Sequence, residues 1–256
     1  MMLKYLIENS DLKAILQFGP QNFFKAVDLF KTLEVVNQVR KNSKDDSSWA
    51  QVCVKSRALL EGSGGAMRWK SSSQESHLHS LSLSAMQGED VLHWFFYQIF
   101  HAEDWILDFR QKSWSTDPEG QLFWSPKPLY FKPSDDFKKG VQNLYLGFYQ
   151  DQPEVFTAGL EALGIRSARE TLVQHFGQGD QSAVEFHLRH LESTFAQVFA
   201  QCAKSRLQVH PEFAAFGVML LGLYETFESA GLSMNVREVF KRARKNVRSA
   251  TETISS

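Results

Sequence analysis

The stretch Pro211 to Gly231, PEFAAFGVMLLGLYETFESAG, constrains the fold more than any other part of the chain. Proline opens a helix where its missing N–H costs nothing, and Phe213, Phe216, Leu220, Tyr224 and Phe227 recur at helical spacing. Gly231 supplies a C-terminal stop. A helix this apolar must be surrounded, so the rest of the chain is expected to supply other helices that cover it. The 21 Phe among 256 residues serve the same end, because Phe brings large apolar area to helix interfaces and no polar handle.

The expected fold class is mainly α, a Phe-rich helical bundle with a small β element. Three blocks are expected: N-terminal helices over 1–65, a small mixed segment over 66–133 and a C-terminal helical bundle over 134–249, the whole forming either separate parts or one continuous domain. In the first block a short helix ends near Phe18, Gly19-Pro20 breaks it, and a second helix runs from Gln21 to 42 with Phe23, Val27, Phe30, Leu33 and Val36 on its apolar face. Ser47 or Ser48 is expected to cap a helix from Trp49 to Glu61, stopped by Gly62-Ser-Gly-Gly65.

Residues 66–85 alternate apolar and polar and predict one or two half-buried strands around a serine-rich loop. A strongly apolar helix is expected over Gly88 to Asp104, then strands over 105–109, 121–125 and 128–132. In the bundle, Ser134-Asp-Asp136 caps one helix and Asp151-Gln-Pro153 starts the next, which ends at Gly164. Ser167 caps a short helix ending at Gly177, Asp180 caps a long one from Gln181 to about Lys204, and the last begins at Asn235.

Charge is nearly balanced at −1, which gives no global attraction to nucleic acid or anionic membrane. Its distribution is uneven. Arg237, Lys241, Arg242, Arg244, Lys245 and Arg248 stand against one acid, Glu238, on the final helix. That face could meet an acidic protein or an anionic membrane surface through Arg237, Lys241, Arg244, Lys245 and Arg248; nucleic acid is disfavoured because aromatic residues do not interleave with the basic ones. Two distant cysteines, Cys53 and Cys202, suggest buried thiols in a reducing compartment. With no apolar signal-peptide core and no run of about 20 apolar residues, a cytoplasmic location is expected.

Candidate chemistry is sparse. Glu89 and His93 stand i,i+4, and His187 and His190 stand i,i+3 with Glu185 and Glu192 flanking them, so His93, His187 and His190 are the candidates for a carboxylate–histidine metal site. Gly62-Ser-Gly-Gly65 lacks the Lys-Ser/Thr of a phosphate loop and reads as a helix stop.

The segments FKKGVQNLYLGFYQDQPEVFTAGLEALG (137–164) and LQVHPEFAAFGVMLLGLYETFESAGLSMNVREVF (207–240) together resemble the C-terminal helical region of the AarF-type atypical kinase-like proteins associated with ubiquinone biosynthesis. In that register FHAED (100–104) falls where the family has its catalytic-loop H-A-D, and 117–131 where it has a D-G turn, a strand and the metal-binding D-F-G. Trp124-Ser125-Pro126 replaces the D-F-G, no H-P-G-N follows Asp104, and LDF-Arg110 puts Arg where a displaced D-F-G would have Gly. EGSGGAMRWK (61–70) is similar to the family's L-G-x-x-x-I-K-x-G-Q helix without its G-Q. The resemblance implies a reduced, non-catalytic pseudokinase-like binding or scaffold protein. Two alternatives stand beside it: a helical-bundle enzyme or binder using a small molecule or metal, and a nucleotide-binding kinase-like protein using Lys70 and Asp104. No cofactor is expected under the leading reading; ATP with Mg²⁺ or a transition metal belongs to the alternatives.

Overall fold

A computed structural model describes residues 20–70, 83–177 and 184–252. The fold is mainly α with a small β element, as the periodicity predicts. In order come α1 (Pro20–Ala26), α2 (Leu29–Asn42), α3 (Asp46–Gly62), β1 (Arg68–Trp69), α4 (Ala85–His101), β2 (Trp105–Ile106), a 3-10 turn (Gln111–Ser113), β3 (Trp114–Thr116), β4 (Leu122–Trp124) and β5 (Tyr130–Phe131). There follow α5 (Asp135–Tyr149), α6 (Pro153–Ala162), a 3-10 turn (Arg166–Ala168), α7 (Arg169–His175), β6 (Val184–Glu185), α8 (Leu188–Lys204), α9 (Phe213–Ser229), β7 (Ser233–Met234) and α10 (Val236–Glu252). Among the described residues no helix is long and apolar enough to cross a membrane.

The chain forms two compact units that interleave along the sequence. One takes residues 20–40, 133–177 and 187–221; the other takes 41–132 (without 71–82), 184–186 and 222–252. In the first unit α5 and α6 pack as a hairpin in which the backbone of Phe156 crosses directly over Gly147. Phe23 of α1 meets Phe199 of α8 edge-on at 5.0 Å, and Phe195 of α8 meets Phe213 of α9 at 5.7 Å. The Val209 N–H donates to the Ala26 carbonyl (2.7 Å), and Val27 and Val209 form a parallel bridge.

In the second unit β1 pairs parallel to β4, and β4 antiparallel to β3, giving the order β1-β4-β3. Two further ribbons are antiparallel, β2 with β5 and β6 with β7. Phe240 of α10 packs on Phe96 of α4 at 5.2 Å. The predicted face of α9 is buried throughout: Phe213, Phe216, Leu220, Tyr224 and Phe227 are joined in the interior by Met219, Leu223 and Thr226.

Several boundaries differ from the sequence expectation, each for a visible reason. The helix expected from Gln21 to 42 divides at Val27–Asp28, because Val27 bridges to Val209 and the Asp28 carboxylate accepts the Lys31 N–H, restarting the helix. The restart turns Phe30 outward at 77% exposure and brings Thr32, Val36 and Val39 inside. The cap of α3 is Asp45, which accepts both the N–H and the hydroxyl of Ser48, and not Ser47 or Ser48. α4 starts three residues earlier than expected, at a capping box between Ser84 and Gln87.

Ser134 sits at the expected start of α5, yet its side chain makes no capping bond; its N–H donates to the Glu212 carboxylate (3.0 Å). Ser167 lies inside a 3-10 turn and donates to Cys202 Sγ, so it does not cap α7. α8 begins at Leu188, not Gln181, since Val184-Glu185 pairs with Ser233-Met234. α9 begins at Phe213, two residues after Pro211, and the Asn235 side chain caps α10 by accepting the Glu238 N–H. The strands are shorter than the apolar runs that predicted them. The helix expected over 2–18, the serine-rich loop and the cap at Asp180 fall outside the described residues. Both cysteines are free thiols, Cys202 buried and Cys53 half-buried.

Candidate functional site

The irregular segment between β2 and β3 gathers buried polar chemistry in the second unit. β2 is so short that its position is set from outside: the Gln98 side chain of α4 donates to the Ile106 carbonyl and accepts the Ile106 N–H, both at 3.0 Å. Beyond β2, the Asp108 carbonyl accepts the Trp124 indole N–H (3.1 Å), and the Phe109 carbonyl accepts from Trp114 (3.0 Å) and from the Thr226 hydroxyl (2.6 Å). Gly222 lets α9 lie close to this backbone, since a Cβ there would press on Phe109 and Arg110. Trp114 stacks on Trp124 at 5.4 Å, with Trp69 and Trp94 edge-on to Trp124.

The Asp108 side chain is fully buried. One oxygen accepts Arg110 Nε (2.6 Å), and the other accepts the Ser113 hydroxyl (2.7 Å) and the Lys127 N–H (2.8 Å). Burial on its own raises the carboxyl pKa, but the Arg110, Lys127 and Ser113 donors together outweigh it and hold the group below its ordinary range. Asp108 is therefore an ionised knot that ties the 108–113 turn to the 125–127 turn. In the sequence Asp108 stands out only as part of a failed D-F-G; its available signal is an acid set within the apolar run Trp105 to Phe109, followed at once by Arg110.

Asp104 lies at the other end of β2, half-buried, with its pKa raised by burial and partly restored by Lys55 and Lys132. Lys70 follows β1 directly, its N–H donating to the Trp124 carbonyl (2.9 Å). The two candidates for nucleotide contact thus stand beside different elements.

His93 is buried on α4, with its ring stacked on Tyr97 at 5.9 Å. His187 is the residue before α8, and His190 stacks on His175 at 5.1 Å. His93 belongs to one unit and His187 and His190 to the other. Among the described residues no group of three or more His, Cys, Asp or Glu could hold a metal ion. On α10 the expected basic face is partly used within the protein. Arg242 pairs with Glu89 (2.6 Å), Lys241 with Glu238 (3.4 Å), and the Arg244 guanidinium lies 4.8 Å over the Phe100 ring; Arg237 is half-buried. The side chains of Lys245 and Arg248 lie outside the described residues.

No family model and no curated protein matches the chain.

Burial, and then the Arg242 charge, push the His93 pKa down to about 4. The unfolded chain therefore binds this proton more tightly, near pH 6.5. The contribution of neutral His93 to stability is whole above that pH and is lost as pH falls toward 4. His93→Gln is expected to flatten this part of the stability profile by on the order of 3 kcal/mol, from about 1.4 kcal/mol per pK unit. Urea midpoints at pH 4.5 and 7.5 check it, and equal pH slopes in parent and variant would refute it.

Proposed function

We propose that the chain is a non-catalytic binding or scaffold protein, resembling a reduced AarF-type pseudokinase helical lobe. The observation that carries this reading is the commitment of the Asp108 carboxylate. Metal-dependent phosphoryl transfer needs carboxylate oxygens turned toward Mg²⁺ and phosphate, so that the charge in flight is neutralised. Both Asp108 oxygens are instead bonded to Arg110, Ser113 and the Lys127 N–H, within a turn whose carbonyls are fixed by Trp114, Trp124 and Thr226. That commitment supports a scaffold role over phosphoryl transfer.

The reading predicts that adding Mg²⁺ to ATP produces no rise in melting temperature beyond that given by ATP in EDTA, and that no phosphate is released or transferred. A reproducible Mg²⁺-dependent rise of several degrees, which ligand linkage produces once a site is well filled, would sink it. Differential scanning fluorimetry reads the first, and ADP formation, which accompanies release and transfer alike, reads the second.

A further inference from the structure

Oxidisable rings touch one another in a row inside the second unit. Trp69 meets Trp124 edge-on at 5.3 Å, Trp114 stacks on Trp124 at 5.4 Å, Trp124 meets Trp94 at 5.7 Å, and Trp94 stacks on Tyr97 at 6.3 Å, all within the contact range of aromatic pairs. Trp69, at the end of β1, is half-exposed, whereas Trp94, Trp114 and Trp124 are at most 3% exposed. The row runs from an edge that solvent reaches, through a dry interior, to a phenol.

What each ring does with its proton decides where an electron vacancy comes to rest. An oxidised indole is acidic at its N–H, and loss of that proton traps the vacancy on the ring. Trp124 and Trp114 donate to the carbonyls of Asp108 (3.1 Å) and Phe109 (3.0 Å), which are too weakly basic to take the proton. The buried Trp94 N–H meets no acceptor at all. A vacancy on these three rings therefore keeps its proton and stays mobile. Tyr97 differs, because its hydroxyl donates a long bond to the carbonyl of Gly62 (3.5 Å), an exposed residue, beside which the proton can leave to water. A phenol that sheds its proton on oxidation gives up an electron more readily than an indole that must keep its own.

We infer that the tryptophan cluster and Tyr97 form a one-electron relay that carries oxidation from the rim at Trp69 to Tyr97. The oxidant is a small inorganic radical, which takes one electron from Trp69 and becomes its anion. Trp124 then reduces Trp69, Trp94 reduces Trp124, and Tyr97 reduces Trp94. Tyr97 loses this electron to Trp94 and its hydroxyl proton to water, ending as a neutral phenoxyl radical, and every indole is restored. Oxidation is thereby drawn away from Trp114 and Trp124, whose N–H groups fix the carbonyls of the 108–113 turn. The relay does not depend on the binding-protein reading.

Pulse radiolysis of the whole chain in azide, whose radical oxidises indole ahead of phenol, tests it. Trp49 stacks on Tyr130 at 5.6 Å and would feed a second phenoxyl, so the reference protein carries Trp49→Phe, which leaves Trp69 as the one half-exposed indole. Indolyl absorption should decay as phenoxyl absorption grows, at a rate independent of protein concentration. Tyr97→Phe and Trp94→Phe each keep a ring that resists oxidation, and both should lose this growth. Tyr149→Phe, in the other unit, should retain it. Trp69→Phe, at the half-exposed rim, should also lose the growth, and it decides the outcome if an interior variant melts early. The proposal is overturned by absence of phenoxyl growth in the reference protein, by growth that survives Tyr97→Phe or Trp69→Phe, or by a rate that rises with protein concentration.

Discussion

Asp108→Asn should lower the stability of the protein by about 3 kcal/mol or more, the usual cost of removing one member of a buried ion pair. The Asn keeps the shape and some of the hydrogen bonds to Ser113 and Lys127, but it takes the Asp108 negative charge away from the Arg110 guanidinium, whose side chain is only 14% exposed. Urea denaturation measures the loss. Adding Arg110→Met to the variant should recover part of it, since it removes the buried guanidinium that the Asp108 charge had compensated. The pH dependence has a definite sign. The folded carboxyl pKa is depressed, so its contribution is present above the ordinary carboxylate value and is lost as pH falls below about 4 through the folded pKa. The parent should show this acid loss and Asp108→Asn should not. A variant within 1 kcal/mol of the parent would show that the knot is not a stability element.

Gly147→Ala should be as damaging in the other unit. A Cβ at this position would collide with the backbone N and Cα of Phe156, which are held in α6 and cannot swing aside like a flexible side chain. The α5–α6 hairpin must open to admit one methyl group, at a cost of about 3 kcal/mol. Gly164→Ala combines a similar clash, with the Gln208 carbonyl, with a left-handed φ of +69° that costs a side chain about 1–2 kcal/mol. Gly62→Ala is the control, since nothing lies within 4 Å of its Cβ. Melting temperatures of the three variants should separate into two heavy losses and one near-parent value. Similar values for Gly147→Ala and Gly62→Ala would contradict the packing described.

What could be read from the sequence was local. Asp136 and Pro153 signal the starts of α5 and α6, and the pattern from Phe213 to Phe227 is dense enough to predict a buried helix. The break at Val27 could not be read because it depends on Val209, far along the chain, and no breaker residue marks it. For the same reason Val184-Glu185, apolar and acidic within a helical run, becomes a strand only through Ser233-Met234. The candidate site divides along the same line. Asp108 with Arg110 is a near-neighbour pattern, visible as an acid in an apolar run. The closure of the knot by the Lys127 N–H, nineteen residues on, is not encoded by any local spacing.

The interleaving of the two units bears on how the chain reaches its native state. Residues 20–40 join 133–177 and 187–221 only after the segment 41–132 has been looped out, and the other unit waits likewise for 222–252. Helical proteins built from neighbouring contacts close short loops and fold quickly; this one must close long loops before its pairings reward it. A chain that looks like a fast-folding bundle in its helix content thus depends on pairings between segments far apart in sequence. Synthesis from the N-terminus cannot complete either unit until α9 has left the ribosome.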